Sequence, residues 1–191
     1  MKRYFKMNQD LYVPGRWYLS DPTDNAGRSL DWVFDQGRPV TVDGPVKVAF
    51  NPFAERGRPV DYTELAIDIV PVVHARIATV LSQLAPSDVQ LIPAKVGDHP
   101  EPFYVVNVLR VQQCIDDDRS LEVEYYTPDC EEVFRDRVGQ YRSVIGLRID
   151  PAKAGNAKIF RTWGWVAVIV SEEIKSALES IKTVGVKFEE V

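Results

Sequence analysis

The closing stretch of the chain, residues 159–191, constrains the fold most, because it contains a complete strand–helix–strand pattern. An aliphatic run at residues 166–170 is typical of a buried strand. Ser171 follows as the expected helix N-cap, since its hydroxyl can accept a hydrogen bond from a free backbone amide. Glu172 and Glu173 then place negative charge at the positive end of the helix dipole.

The helix that Ser171 opens has one apolar face and an expected end. Apolar residues recur every three or four positions, and the stripe consists of Ile174, Ala177, Leu178 and Ile181. Lys182 favours the end of the helix, and Gly185 is expected to take the left-handed conformation that terminates it. Residues 186–188 alternate like a half-buried strand. The stretch therefore predicts a strand, a helix buried by one face, and a second strand.

A second strand–helix–strand pattern begins near residue 65. Pro71 is expected in the first turn of its helix, where the missing N–H costs nothing. The apolar stripe consists of Val73, Ile77, Val80, Leu81 and Leu84. Residues 69–71 align with residues 169–171, either through a degenerate duplication or through two independent uses of a common unit. In both cases the two helices are predicted to cover one face of a shared sheet.

Three further strands are predicted between these two patterns. Residues 103–111 form a long β-rich run, and residues 121–126 alternate as its return strand. The polar turn at residues 116–120 is expected to join them as a hairpin. Residues 143–149 form the third strand, before the closing pattern begins.

The N-terminal part of the chain is irregular and rich in aromatic residues. Residues 4–7 are predicted as a short edge strand. A turn at residues 43–44 is expected to join strands at residues 39–42 and 46–50. Residues 11–45 contain many turn signals, and their aromatic side chains are Trp17, Tyr18, Trp32 and Phe34.

These patterns predict an α+β fold: a central, mostly antiparallel sheet, two principal helices packed on it, and an irregular aromatic-rich N-terminal segment. Residues 1–60 are expected to pack on an α+β domain at residues 61–191, as one compact unit. The net charge of −5 argues against direct nucleic-acid binding, because phosphates require concentrated Lys and Arg. The sequence has no signal-peptide pattern and no membrane-spanning apolar run, so we expect a cytoplasmic protein.

The sequence carries no recognisable enzyme signature. It lacks a phosphate-binding glycine loop and the Gly-x-Ser-x-Gly pattern of a nucleophilic serine. His74 lies on or beside the apolar face of its helix, where a packing role is expected and a catalytic role is the alternative. Arg56 and Arg58 lie in a loop that is either solvated or an anion site. No catalytic residue and no cofactor is predicted.

The two cysteines, Cys114 and Cys130, predict neither a disulfide nor a metal site. We expect both to be reduced, Cys114 as a small buried residue and Cys130 as a loop thiol. Two Cys and two His at irregular spacing match no zinc signature. Asp116, Asp117 and Asp118 lack the glycine and distal glutamate of a calcium-binding EF-hand loop, so the alternatives are a solvated turn and an acidic docking patch.

Short motifs mark the chain from residue 71 onward. They are residues 71–74, 85–93, 114–116, 138–142, 146–151, 159–165, 169–172 and 185–188. Together they resemble the polymorphic-toxin immunity family first defined in myxobacteria, once known only as a domain of unknown function. The resemblance covers residues 60–191 most clearly. Residues 129–132 lack the glycine-containing turn expected there, so this loop is specific to this member.

The resemblance implies a stoichiometric inhibitor with no catalytic motif. Such a protein would bind a cognate toxin domain in the cytoplasm and block its active site or the approach of its substrate. Acidic surface would speed the capture of a basic toxin such as a nuclease. The candidate contacts are therefore Asp116, Asp117, Asp118, Glu131 and Glu132. Trp163 and Trp165, expected on one side of a strand, are less favoured because packing against a helix or loop suits them better.

Two other functions stay open at this point. A small-molecule-binding domain or enzyme would need a deep pocket that holds His74 with an acidic or arginine partner. An adaptor or structural protein would bind a partner without inhibiting it.

Overall fold

The computed structural model describes residues 2–30, 32–34, 36–54, 57–65 and 69–191 of the chain. Within these ranges it contains thirteen strands, two α-helices and one 3-10 helix. The strands are β1 Tyr4–Gln9, β2 Leu19–Thr23, β3 Val46–Phe50, β4 Tyr62–Glu64, β5 Pro71–His74, β6 Val89–Val96, β7 Phe103–Val108, β8 Val111–Gln112, β9 Glu122–Tyr125, β10 Tyr141–Ile145, β11 Ile159–Thr162, β12 Val168–Ser171 and β13 Val186–Glu190. The helices are α1 Ala75–Leu84, α2 Glu172–Ser180 and the 3-10 helix Glu132–Arg137.

The strands form two larger sheets and a two-stranded ribbon. Sheet 1 has the order β13-β1-β12-β11-β8, sheet 2 has the order β2-β3-β6-β7-β5-β4, and the ribbon pairs β9 with β10. Both larger sheets are mixed, because β8 is parallel to β11 and β3 is parallel to β6. The α+β class is confirmed in its broad form, mostly sheet with few helices, but the single central sheet is wrong. Neither α-helix of the described chain is long and apolar enough to cross a membrane.

Each larger sheet contains a strand–helix–strand unit with another strand inserted between its two strands. In sheet 2, α1 connects β5 to β6, and β7 lies between them. In sheet 1, α2 connects β12 to β13, and β1 lies between them. The inserted strand is antiparallel to both neighbours in each case. β1 is therefore an interior strand, and the edge strand predicted at residues 4–7 is wrong because β13 pairs along its outer side. The boundary expected at residue 60 stays a prediction.

Both helices begin directly after a strand whose last residue is the N-cap. Ser171 caps α2, as predicted. His74 caps α1, because its Nδ1 accepts a hydrogen bond of 3.3 Å from the backbone N–H of Arg76. Pro71 lies in β5, where its segment pairs with β4 and β7, so its predicted place in the first helical turn is wrong. The equivalent positions of the two units are thus His74 and Ser171.

The end of α2 also differs from the prediction. Lys182, and not Gly185, takes the left-handed conformation that follows the helix, with φ of 53°. The Lys182 amide donates to the carbonyl of Glu179 at 2.9 Å. The Thr183 amide donates to the carbonyl of Leu178 at 3.3 Å, which completes a Schellman motif. Gly185 also has a positive φ, but it lies in the turn before β13.

Three apolar clusters fill the space on the faces of the two larger sheets. The central cluster joins both helices to one face of each sheet, and its members include Phe5, Ile77, Leu81, Val106, Val170, Ile174 and Leu178. The helices therefore share a core to which both sheets contribute, which corrects the prediction of one shared sheet. The second cluster joins the other face of sheet 2 to the N-terminal segment. The third joins the other face of sheet 1 to the ribbon and its flanking loops.

The N-terminal segment covers sheet 2 with only part of its aromatic side chains. The buried ones are Trp17 and Phe34, and the exposed ones are Tyr18 and Trp32. The strand predicted at residues 39–42 does not form in the described structure. Instead, the backbone of Val40 exchanges hydrogen bonds of 2.7 and 2.9 Å with the side-chain amide of Gln90. Because a side chain replaces the strand partner, the predicted hairpin with β3 is wrong.

Candidate partner-binding surface

The polar turn predicted at residues 116–120, which we call the acidic turn, exists, but it does not close a hairpin. The Ser120 amide donates to the Asp116 carbonyl at 2.9 Å, and the Asp116 carboxylate accepts from the Arg119 amide at 3.2 Å. β9 follows the turn and pairs with β10, not with β7. The hairpin predicted from residues 103–111 and 121–126 is therefore wrong. β7 already has β5 and β6 as neighbours, which leaves no edge for a return strand.

Asp117 attaches the acidic turn to the ribbon. Its carboxylate accepts hydrogen bonds from the hydroxyls of Tyr125 and Tyr141, the latter at 2.9 Å. The two rings stack with centroids 4.7 Å apart. Burial raises the pKa of both tyrosines, and their hydrogen bonds to Asp117 raise it further. Asp117 therefore holds the turn in place, although it is exposed, as is the neighbouring Asp118.

The two glutamates predicted as partner contacts stand at the start of the 3-10 helix. Glu131 is the residue before the helix, and its side chain makes no capping hydrogen bond. Glu132 has an 88% exposed side chain and forms a loose ion pair of 3.8 Å with Arg135. Both carboxylates are thus accessible, but their surroundings differ.

Glu131 lines a cleft of about 500 Å³, which we call the aromatic–acidic cleft. The residues that line it also include three aromatic ones, Tyr125, Tyr126 and Phe134, and the acidic Asp129. A hydrogen bond from the Thr127 hydroxyl lowers the pKa of Asp129, so this carboxylate is ionised at neutral pH. Tyr125 links the cleft to the acidic turn, because its hydroxyl donates to Asp117.

The two thiols lie as predicted. Cys114 is fully buried, and burial raises its pKa to about 12. Cys130 is partly exposed and lines the aromatic–acidic cleft. Both are free thiols.

Residues 116–148, which we call the acidic lobe, contain the acidic turn, the cleft and the ribbon. The sequence of this lobe has nine acidic and five basic residues, so it carries most of the net negative charge of the chain. Its exposed large apolar side chains are Leu121, Tyr125, Val133, Val138 and Ile145. Exposed apolar groups among charges of one predominant sign are typical of a surface that binds another protein.

The two tryptophans predicted on one side of a strand lie in a turn after β11 and have different surroundings. Trp165 packs against the third cluster. Trp163 is 38% exposed and lines a cleft of about 610 Å³ together with Trp32, Val111 and Val166. The predicted common side is wrong because Gly164, with φ of 76°, turns the chain between them. No local pattern predicts that Trp32 and Trp163 line the same cleft, because they lie more than 100 positions apart in the sequence.

His74 occupies a structural position. Its Nδ1 caps α1, its ring packs against Phe103 with centroids 5.3 Å apart, and its Nε2 lies 3.6 Å from Glu101. These contacts fit the packing role that the sequence favoured.

Arg58, one of the two arginines of the predicted loop, donates to the backbone carbonyl of Pro14 at 2.6 Å, and this contact orders the loop. Arg56 lies outside the described residues.

A sheet scaffold with an exposed acidic and aromatic lobe is typical of proteins that bind other proteins. The chain belongs to the Immunity protein family (Imm11), whose family model matches residues 1–191. The family resemblance carried by the sequence motifs is thereby confirmed, and it extends over the whole chain. No curated protein matches the chain.

Proposed function

We propose that this chain is a non-enzymatic immunity protein that binds its cognate toxin domain in the cytoplasm and neutralises it. The observation that carries the proposal is the family match over the whole chain. Neutralisation by binding needs a rigid scaffold and an accessible surface. The two sheets supply the scaffold, since buried apolar clusters cover their faces. The acidic lobe supplies the surface.

The predicted contacts divide into two roles within this proposal. Asp117, Asp118, Glu131 and Glu132 are exposed, and of these Asp118, Glu131 and Glu132 would meet the toxin directly. Asp116 and Asp117 hold the turn through the hydrogen bonds described above, so they would act chiefly by positioning Asp118. Trp163 and Trp32 form a second exposed site at the 610 Å³ cleft. Tryptophan is enriched at the energetic centres of interfaces. Trp163 is therefore the better candidate for a toxin contact, because it is exposed while Trp165 packs against the third cluster.

The charge of the lobe suits a basic toxin domain, such as a nuclease. Opposite charges accelerate encounter, and the effect weakens as salt screens the charges over about 8 Å at physiological ionic strength. A specific complex of standard size would bury about 1,600 Å² in total. An interface centred on the acidic lobe would use the ribbon, the 3-10 helix and the acidic turn together.

Co-expression with the toxin encoded by the neighbouring gene tests this function. The proposal expects that the chain restores growth of cells that make the toxin and that the two proteins copurify. A neighbouring gene with no toxin activity, together with failure of any toxin to copurify, would remove the proposal. Copurification with a fully active toxin would instead identify an adaptor.

A further inference from the structure

We propose that the aromatic–acidic cleft binds an arginine side chain of the toxin domain. This inference rests on the proposed function and deepens it, because it names the chemistry of one contact. The cleft combines ring faces, carboxylates and a volume of about 500 Å³. A guanidinium group with its aliphatic stem uses all three of these features.

The rings offer flat surfaces to a planar cation. Tyr126 and Phe134 both line the cleft, and their rings lie with centroids 5.3 Å apart and planes tilted by 34°. Tyr125, 39% exposed, contributes a third ring. Arginine stacks on aromatic faces more readily than lysine, because its guanidinium is planar and weakly hydrated.

The charges of the cleft favour a cation. Two acidic residues, Asp129 and Glu131, line the cleft, and Arg142 is the one basic residue among its described lining residues. Carboxylates bind guanidinium groups through paired, charge-assisted hydrogen bonds. Among its described residues, the 610 Å³ cleft at Trp163 has the opposite balance, since two basic residues, Arg137 and Arg161, line it with Asp136. The described lining of the aromatic–acidic cleft is therefore the better match for a basic side chain.

Glu131 and Glu132 provide a matched pair of variants. Glu131→Gln and Glu132→Gln each remove one negative charge, at adjacent positions of the same segment, but only Glu131 lines the cleft. Glu131 makes no capping hydrogen bond, so its replacement leaves the 3-10 helix intact. Calorimetric titration with the purified toxin domain from the neighbouring gene is expected to show about tenfold weaker binding for Glu131→Gln and less than about twofold for Glu132→Gln.

Two more variants test the ring face and the sign of the charge. Phe134→Leu keeps an apolar wall but removes the ring, and we expect about fivefold weaker binding. Arg142→Gln removes the one cation from the wall, and we expect binding about threefold tighter. Weaker binding by a folded Arg142→Gln variant would overturn the inference, because it would mean that the cleft receives an acidic group.

Cys130 reports directly on occupancy of the cleft. It is the accessible thiol, while Cys114 is buried with its pKa raised to about 12 and is inert to alkylation in the folded state. Saturating toxin is expected to slow iodoacetamide labelling of Cys130 at least about tenfold, measured by mass spectrometry of the Cys130 peptide.

The outcomes separate this inference from the proposed function. If the wild-type chain does not bind the toxin domain, the proposed function itself fails. If it binds, but Glu131→Gln behaves like Glu132→Gln, long-range charge explains the effect and the cleft inference is overturned. Undiminished labelling of Cys130 in the saturated complex would overturn it as well.

Discussion

The hydroxyl of Tyr141 donates a hydrogen bond of 2.9 Å to the carboxylate of Asp117. This contact joins β10 to a turn that lies 24 positions earlier in the chain. Tyr125 donates to the other oxygen of the same carboxylate. The acidic turn is therefore fixed against the ribbon, which gives the proposed docking surface a defined shape before a partner arrives. Preorganisation of this kind reduces the entropy lost on binding.

Tyr141→Phe is expected to destabilise the protein by about 1.5 kcal/mol, because it removes a hydrogen bond to a charged group from a largely buried ring. The free energy of unfolding in urea measures the loss. Tyr126→Phe is the control, since no described partner accepts a hydrogen bond from that hydroxyl, and its effect should stay within about 0.5 kcal/mol. Equal stabilities of the two variants would refute a structural role for the Tyr141 contact.

His74→Asn separates immunity from enzyme function. Asparagine is a good N-cap, so α1 should keep its start while the imidazole is lost. We expect the free energy of unfolding of the variant to lie within about 1 kcal/mol of that of the wild type. We also expect the variant to protect cells from the toxin fully. Growth of toxin-expressing cells measures the protection. A folded His74→Asn variant that no longer protects would favour the alternative of a site near His74.

Lys182→Gly is expected to stabilise the protein by about 1 kcal/mol, because glycine adopts the positive φ at this position without strain. Thermal unfolding measures the change.

Gly185→Ala is expected to have the opposite effect on stability. An added Cβ there would lie 2.5 Å from the carbonyl oxygen of Tyr62, so we expect a loss of about 1–3 kcal/mol. A loss of stability in Lys182→Gly would contradict the assignment of the Schellman motif.

Glu64→Gln is expected to raise stability at neutral pH. Burial raises the pKa of Glu64, although Tyr62 and the Gln9 amide donate hydrogen bonds to its carboxylate at 2.9 and 3.1 Å. Between the unfolded pKa of about 4.3 and the raised folded pKa, the folded state holds a proton that the unfolded state has lost. Stability therefore falls as pH rises through that window, and the loss persists at pH 7.

The free energy of unfolding from pH 4 to pH 8 measures this effect. The decrease with rising pH should be smaller in Glu64→Gln than in the wild type. Glutamine keeps the acceptor oxygen for Tyr62 and Gln9, so the comparison isolates the charge. A Glu64→Gln variant less stable than the wild type at pH 7 would contradict the prediction.

The sequence predicted those features whose determinants lie within a few residues of each other. The apolar stripe of α2 and its Ser171 cap are set by residues only three or four positions apart. A local pattern is therefore sufficient to identify them. The place of β1 could not be found in this way. Its partners β12 and β13 lie at the other end of the chain, and an alternating strand looks the same at an edge or in the interior.

In the candidate site, too, some features follow from local sequence and others depend on the tertiary structure. The family resemblance, together with the runs of acidic residues, predicted Asp116, Asp117, Asp118, Glu131 and Glu132 as contacts, and all but Asp116 are exposed. The aromatic–acidic cleft depends on how the end of β9 and the 3-10 helix face each other, and no local pattern reports that geometry. The cleft that Trp32 and Trp163 both line depends on the paths of the N-terminal segment and sheet 1. Tertiary arrangement, and not local propensity, therefore determines both clefts.

The most direct test of neutralisation by binding is a titration of toxin activity. Purified toxin domain from the neighbouring gene is assayed in vitro at a fixed concentration well above the dissociation constant, with increasing amounts of the wild-type chain. The account predicts a linear fall in activity that reaches zero at one equivalent, because a stoichiometric inhibitor blocks one toxin domain per chain. Full toxin activity in a saturated complex, or loss of activity at far less than one equivalent, would contradict it.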